Sequence, residues 1–244
     1  MTNISSTELG ALDEYLATLQ SDQLSYGLAR AIRGLREEVL LSGYFQMGQT
    51  ALTAGASLDA TRLQIGGGAH VLAGWLNLDI VPPADLLWDI RESLPFDDGV
   101  TEKIFSEHCL EHLDYPRSAK RHVSEMFRVL APGGQAIVGV PDANKVIRAY
   151  VDGDMAVLNH YTETWYAHRT CHGDFNSPID WVNYVLRDQE DDSVYHPHFW
   201  GYDLAKLVSL FTMAGFSSVK EWEFDPALAN QKRQWGSIYV VATK

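Results

Sequence analysis

The stretch TRLQIGGGAHVLAGWLNLDI, residues 61–80, decides how the chain folds. Two apolar runs within it, TRLQIG (61–66) and GWLNLDI (74–80), read as short buried strands, and the glycines Gly66, Gly67 and Gly68 stop the first of them. Only residues 67–73 separate the two runs, fewer than the about a dozen that a helical crossover between parallel strands requires. The helix that ordinarily fills such a crossover is therefore expected to be vestigial or absent.

Outward from this stretch the chain alternates strand and helix. TEKIFS (101–106) reads as a third strand. In RSAKRHVSEMFRVLAPGG (117–134) Ala119, Val123, Met126, Phe127 and Leu130 recur at helical spacing before Pro132-Gly133-Gly134, and the strand QAIVGV (135–140) follows. A helix is expected from about Asp203 to Ala214, closed by Gly215, and FSSVKEWEF (216–224) and GSIYVVAT (236–243) read as two strands pairing antiparallel at an edge. This order implies an α/β fold with right-handed crossovers and a largely parallel sheet.

Two regions depart from that rhythm. Residues 5 to 52 read as helices: Ser5 and Glu8 have capping-box spacing before Leu9, Leu12, Leu16 and Leu19, and Leu24, Leu28, Ala31, Ile32, Leu35 and Val39 continue up to Gly43. The expected division is an N-terminal helical extension, 1–55, before a main domain, 56–244. The extension covers an edge of the core, forms a homodimer contact, or closes as a lid. Residues 142–200 form a polar, aromatic insert carrying His160, Tyr161, Trp165, Tyr166, His168, His172, Trp181, Tyr184, Tyr195, His196, His198 and Trp200. Its aromatic residues make either the core of a small helical cap or the wall of an acceptor pocket, and the second is preferred.

Composition narrows the function. At 244 residues one decorated core is expected. Hydrophobic residues at 46% and charged residues at 21% are ordinary for a globular protein, no apolar run is long enough to span a bilayer, and the start MTNISSTELG lacks the pattern of a secretion signal. With Cys109 and Cys171 alone there is no disulfide framework, so a cytoplasmic location is expected and no membrane partner. The net charge of −13, with no basic run beyond Lys120-Arg121 and Lys232-Arg233, argues against nucleic acid as a partner.

The glycine turn sits where an open parallel sheet binds ligands. A nicotinamide dinucleotide fits badly, because Val71 stands where its fingerprint has a third glycine and Asp79 comes only 11 residues after Gly68. No Gly-Lys-Ser/Thr follows for a phosphate loop. S-adenosylmethionine fits better: it has no pyrophosphate, its ribose diol suits a carboxylate such as Asp79, and Asp89 suits its adenine amino group, with Ile80 and Ile90 sandwiching the ring.

A second stretch, SEHCLEHLDY (106–115), contains His108-x-x-Glu111-His112, the order of an inverted zinc-hydrolase helix. The preceding strand should end at Ser106 or Glu107, leaving the histidines in a strand-end loop and a first helical turn, so the zinc hydrolase is a remote alternative. His196-x-His198 is the most suggestive metal pair in the insert, yet without a third ligand at diagnostic spacing no metal is expected.

The segments LQIGGG, GWLNLDI, DLLWDIRESLPFDDGVTEKIFSEHCLEHL and EMFRVLAPGGQAIVGVPD together resemble the Rossmann-like, S-adenosylmethionine-dependent methyltransferases, of the type with Gly-x-Gly followed closely by Gly-Trp-x-Asn-x-Asp. The likeness covers 61–142 and resumes more weakly at HFWGYDLAKLVSLFTMAGF and GSIYVVATK. It implies a mostly parallel seven-stranded sheet with an antiparallel edge strand. It also implies that Gly66 and Gly68, with Gly67 between them, line the methionine end of the cofactor, Asp79 the ribose, Asp89 the adenine, and Ser106, Glu107 and His108 the floor near the sulfonium. His70 stands where the commoner pattern has another glycine.

The resulting expectation is methyl transfer to a small-molecule acceptor, O- or N-directed, on a natural product or sugar. The alternatives are a protein that binds S-adenosylmethionine without turnover, and one that uses it for non-methyl chemistry. A general base, where the acceptor needs one, is expected among His108, His198 and His196.

Overall fold

The computed structural model describes residues 5–19, 23–56, 58–164, 173, 175–187 and 197–244. Seven strands form one sheet: β1 (Arg62–Ile65), β2 (Leu76–Asp79), β3 (Leu86–Leu87), β4 (Thr101–Glu107), β5 (Leu130–Pro141), β6 (Ser218–Glu221) and β7 (Ser237–Thr243), in the order β3-β2-β1-β4-β5-β7-β6. The five strands from β3 to β5 pair in parallel, while β7 runs antiparallel to both β5 and β6. This is a Rossmann-like α/β sheet, mostly parallel. The expected antiparallel pair is present at the edge; the reversed strand is β7, one place in, and β6 is outermost. At two residues, β3 is too short to leave a sequence period.

Alternation along the strands sorts the core into two layers. Leu63, Ile65, Leu76, Leu78, Ile104, Val138 and Val140 face one way, into the main cluster with α3 (Arg117–Val129) and α7 (Leu204–Ala214). Phe105, Ile137 and Tyr239 face the other way, into a smaller cluster with Leu72, Trp75, Trp222, Phe224, Leu228 and Ala229.

That second layer shows how the sheet manages without its first crossover helix. Residues 66–75 contain no helix. Their place on the sheet is taken by Leu72 and Trp75 from the connection itself and by residues 222–229, from beyond β6. The strand positions beneath are polar for the same reason: a loop, unlike a helix, leaves backbone groups to satisfy. Gln64, 2% exposed, accepts from Leu72 N at 2.8 Å and donates to the carbonyl of His70, whose ring meets Leu228 O at 3.1 Å.

At the N-terminal end, Ser5 and Glu8 form the expected reciprocal capping box at the start of α1 (Ser6–Ala17). Gly43 does not end the next helix, α2 (Tyr26–Thr53), because packing overrides the glycine's poor propensity. Past Gly43, Phe45 packs edge-on to Trp88 at 4.7 Å and Gly48 lies against the Leu87 backbone, so α2 covers the edge strand β3. Leu28 and Leu35, nearer its start, are exposed. In the insert, α4 (Ala143–Asp152), α5 (Met155–Thr164) and α6 (Pro178–Arg187) enclose a cluster of Val146, Leu158, Tyr161, Trp181, Tyr184 and Val185. Trp181, whose indole donates to Thr162 Oγ1 at 2.8 Å, is thus core of the cap and no pocket wall, as an amphipathic aromatic helix favours. Trp165, Tyr166, His168, His172, Tyr195 and His196 lie outside the described residues. Among the described residues, no helix is long and apolar enough to cross a membrane.

Two outcomes test this packing. A Cβ on Gly48 would lie 1.8 Å from Leu87 O, whereas one on Gly43 meets nothing within 4 Å. Gly48→Ala is expected to destabilise by about 1–3 kcal/mol, and Gly43→Ala to stabilise by up to ~1 kcal/mol, both read by denaturant unfolding. His122 is fully buried on α3, and burial lowers its pKa to about 4 in spite of Glu125, the Ile90 carbonyl and Asp89. Below the ordinary histidine value of roughly 6.5 the unfolded chain takes up a proton that the fold refuses, so stability falls as pH drops from there toward about 4, by about 3 kcal/mol in all. His122→Gln should flatten that slope in melts across the same pH range.

Candidate functional site

The carboxyl ends of β1, β2, β3 and β4 meet at one end of the sheet, and nearly every residue expected to bind the cofactor lies there. The turn after β1 is left-handed at Gly66 (φ 69°) and again at Gly68 (φ 51°), conformations that cost a side-chain-bearing residue ~1–2 kcal/mol. Gly66 N donates to Leu78 O at 2.9 Å, and Gly68 N donates to Asp79 Oδ2 at 2.9 Å. The glycine turn and the acid of the second strand are therefore one unit. No side chain fits within it: a Cβ on Gly66 would come 2.7 Å from Cys109 Sγ, and one on Gly67 2.6 Å from Asn77 Oδ1.

Asp79 is 5% exposed, and burial raises its carboxyl above the usual value although the amides of Gly68, Val81 and Ile80 pull the other way. A ligand that donates two hydroxyls there replaces lost hydration. Ile80 and Ile90 are half-buried at the neighbouring strand ends, apolar surface available to a flat ring.

Asp89 is already engaged. Arg91 donates from its backbone N and from Nε, the latter to both carboxylate oxygens at 3.0 and 2.9 Å, and its two terminal nitrogens hold Glu38 of α2 at 2.9 Å each. Both pairings raise the Arg91 pKa and keep it charged. A carboxylate has about four acceptor sites, so Asp89 keeps capacity for an adenine amino group. Sequence reading missed this clamp; the close Asp89-x-Arg91 spacing is the signal that carried it.

After β4 the chain turns sharply. His108 is the one non-glycine described residue with positive φ, 53°, and its N donates to Gly139 O at 2.8 Å. The turn splits the three floor residues. Ser106 is buried beside Cys109, whose thiol is pushed up by burial and by the charges of Asp79 and Glu111. Glu107 points to the opposite layer, where Tyr239 OH donates to Oε1 at 2.6 Å and Arg233 and the Asn230 amide donate at 3.2 Å, so its carboxylate is committed to holding β7 and residues 230–236. His108 Nε2 lies 2.7 Å from Ser237 Oγ and Nδ1 lies 3.7 Å from Glu111 Oε1, and burial, with Arg233, His198 and His112 near, drives its pKa well below the ordinary value. Burial thus favours its neutral form.

Glu111 and His112 do not begin the following helix. They form a single 3₁₀ turn, Leu110–His112, and α3 starts only at Arg117, so the face of an established helix that an inverted zinc-hydrolase motif needs is missing. His198 comes to the same place: its ring lies 4.9 Å from that of His112, while Phe199 N donates to Glu111 O at 2.8 Å. Beside it a groove of about 500 Å³ runs between α4 and the start of α7, lined by Asn144, Ile147, Leu186, Trp200 and Lys206, with Trp200 stacked on Tyr115 at 4.8 Å.

Residues 83–138 match the family model described as "Methyltransferase domain". That match points to methyl transfer with S-adenosylmethionine as cosubstrate. The matched segment takes in β3, the Asp89–Arg91 pair, β4 and the turn to His112, and it begins after Asp79. Comparison with curated proteins gives no match. Solved structures similar to this chain include SAM-dependent methyltransferases from Thermotoga maritima (14% identity, 88% of this chain and 97% of the other, TM-score 0.44), Methanosarcina mazei (16%, 79% and 96%, 0.42) and Aquifex aeolicus (13%, 99% and 99%, 0.40).

Gly66→Ala tests the tightness of the turn. It is expected to cost about 2–4 kcal/mol, from the left-handed backbone and the contact with Cys109 together. Adding Cys109→Ala should recover the contact part and leave the backbone part, as read by denaturant unfolding of both variants.

Proposed function

We propose that the protein transfers the methyl group of S-adenosylmethionine to an oxygen or nitrogen of a small-molecule acceptor, such as a natural product or sugar. The observation that carries the nucleoside half of this reading is the union of Asp79 with the glycine turn, through the 2.9 Å bond to Gly68 N, beside half-buried Ile80 and Ile90. In this reading Gly66-x-Gly68 and Gly74-Trp75-x-Asn77-x-Asp79 act as one signature. The ribose diol sits on Asp79, the adenine lies between Ile80 and Ile90 with its amino group toward Asp89, and the methionine end passes over Gly66 toward Cys109 and Ser106.

A sulfonium methyl is already activated, so the chain's task is to align acceptor, methyl and sulfur and to exclude water. The acceptor half rests on the groove beside Trp200, apolar along Ile147 and Leu186 and carrying the cation of Lys206 at one end. Its volume of about 500 Å³ is in the range of small-molecule sites. His108, neutral and at the end of β4, is the base this reading assigns to an alcohol or phenol acceptor.

S-adenosylhomocysteine is expected to raise the melting temperature of the protein. Asp79→Ala should weaken that ligand by about 10- to 100-fold in calorimetry, the worth of hydrogen bonds to a charged acceptor. Undiminished affinity in the variant contradicts the ribose assignment.

A further inference from the structure

We propose that Glu111, His112 and His198 form a binding site for one divalent transition-metal ion, with zinc the ion its donors suit best. Each of the three offers one ligand atom, and among the described residues these atoms lie within 4.8 Å of one another. Ligands around a single zinc stand about 3.3 Å apart, from bond lengths of roughly 2.0–2.2 Å in tetrahedral geometry, so side-chain rotations of the order of an ångström close the set. Two imidazoles and a carboxylate are a zinc or iron donor set, unlike the all-oxygen sets that hold magnesium or calcium.

The surroundings are those of a prepared ligand set. His198 is 8% exposed, and its Nδ1 lies 2.8 Å from Val185 O. A carbonyl only accepts, so Nδ1 carries the hydrogen and Nε2 is the unprotonated ring nitrogen of the neutral imidazole, the tautomer that outer-shell partners of metal-binding histidines select. The backbone holds this position from both sides: His198 N donates to Arg187 O at 2.9 Å, and Phe199 N donates to Glu111 O at 2.8 Å. The residue after His198 is thus tied directly to Glu111, another member of the set. Glu111 is 1% exposed, and a carboxylate so deeply placed is stabilised by a cation beside it. His108, 3.7 Å from Glu111 Oε1, flanks the set.

Three protein ligands leave a coordination position for water or for an acceptor atom. On the methyl-transfer reading, and resting on it, an acceptor hydroxyl at that position would shed its proton more readily. The metal site itself is independent of that reading and is tested without turnover.

The protein is stripped with a chelator, dialysed and titrated with Zn²⁺ in a calorimeter. One ion per chain is expected. His112→Ala and His198→Ala should each weaken it by more than the ~10- to 100-fold that loss of an outer-shell partner costs, with circular dichroism reporting that the fold persists. X-ray absorption on the zinc-loaded wild-type protein requires no variant and should show two imidazole scatterers. No uptake by the wild-type chain, undiminished uptake by the His112→Ala/His198→Ala protein, or an ion with oxygen ligands alone overturns the proposal. S-adenosylhomocysteine binding, measured on the same metal-free sample, reports separately on the methyl-transfer reading.

Discussion

The bond from Gly68 N to the buried carboxylate of Asp79 is the contact on which the site depends, because it makes one object of the turn after β1 and the end of β2. The short connection forces this arrangement. With no helix between the first two strands, the backbone groups of residues 66–75 must find partners elsewhere, and they find them in Asp79 and Gln64, while the His70 ring reaches Leu228 O in the loop beyond β6. A buried carboxylate needs compensation, and a buried amide needs an acceptor; each supplies the other.

The same economy governs the far side of the site. Arg91 joins Asp89 to Glu38, so the N-terminal helix α2 reaches Asp89 through one guanidinium. Glu107 stands next to His108 in sequence but faces the opposite layer, where it holds β7 and residues 230–236. The left-handed residue His108 is what lets the chain change direction between these roles, sending Glu111 and His112 toward His198.

Much of this was legible in the sequence because it rests on local pattern. The strands around Leu63, Leu78, Ile104 and Val138, the helix capped by Asp203 and closed by Gly215, and the missing crossover helix all follow from period, capping chemistry and chain length. What was not legible is long-range. Nothing near Gln64 or Asn77 says that their face of the sheet would be roofed by residues 222–229, and β3 is too short to carry a period. Gly43 reads as a stop, yet α2 runs through it because Phe45 and Gly48 meet β3. Glu111 and His112 read as the start of a helix, and their meeting with His198, 86 residues on, depends on tertiary hydrogen bonds that no window of sequence contains.

A crystal structure of the protein with S-adenosylhomocysteine tests the central claim most directly. The account predicts both ribose hydroxyls on Asp79, with the Gly66–Gly68 turn unchanged and the adenine between Ile80 and Ile90. A nucleoside bound away from the turn, or a turn that must open its bond to Asp79 before the ligand enters, would contradict it.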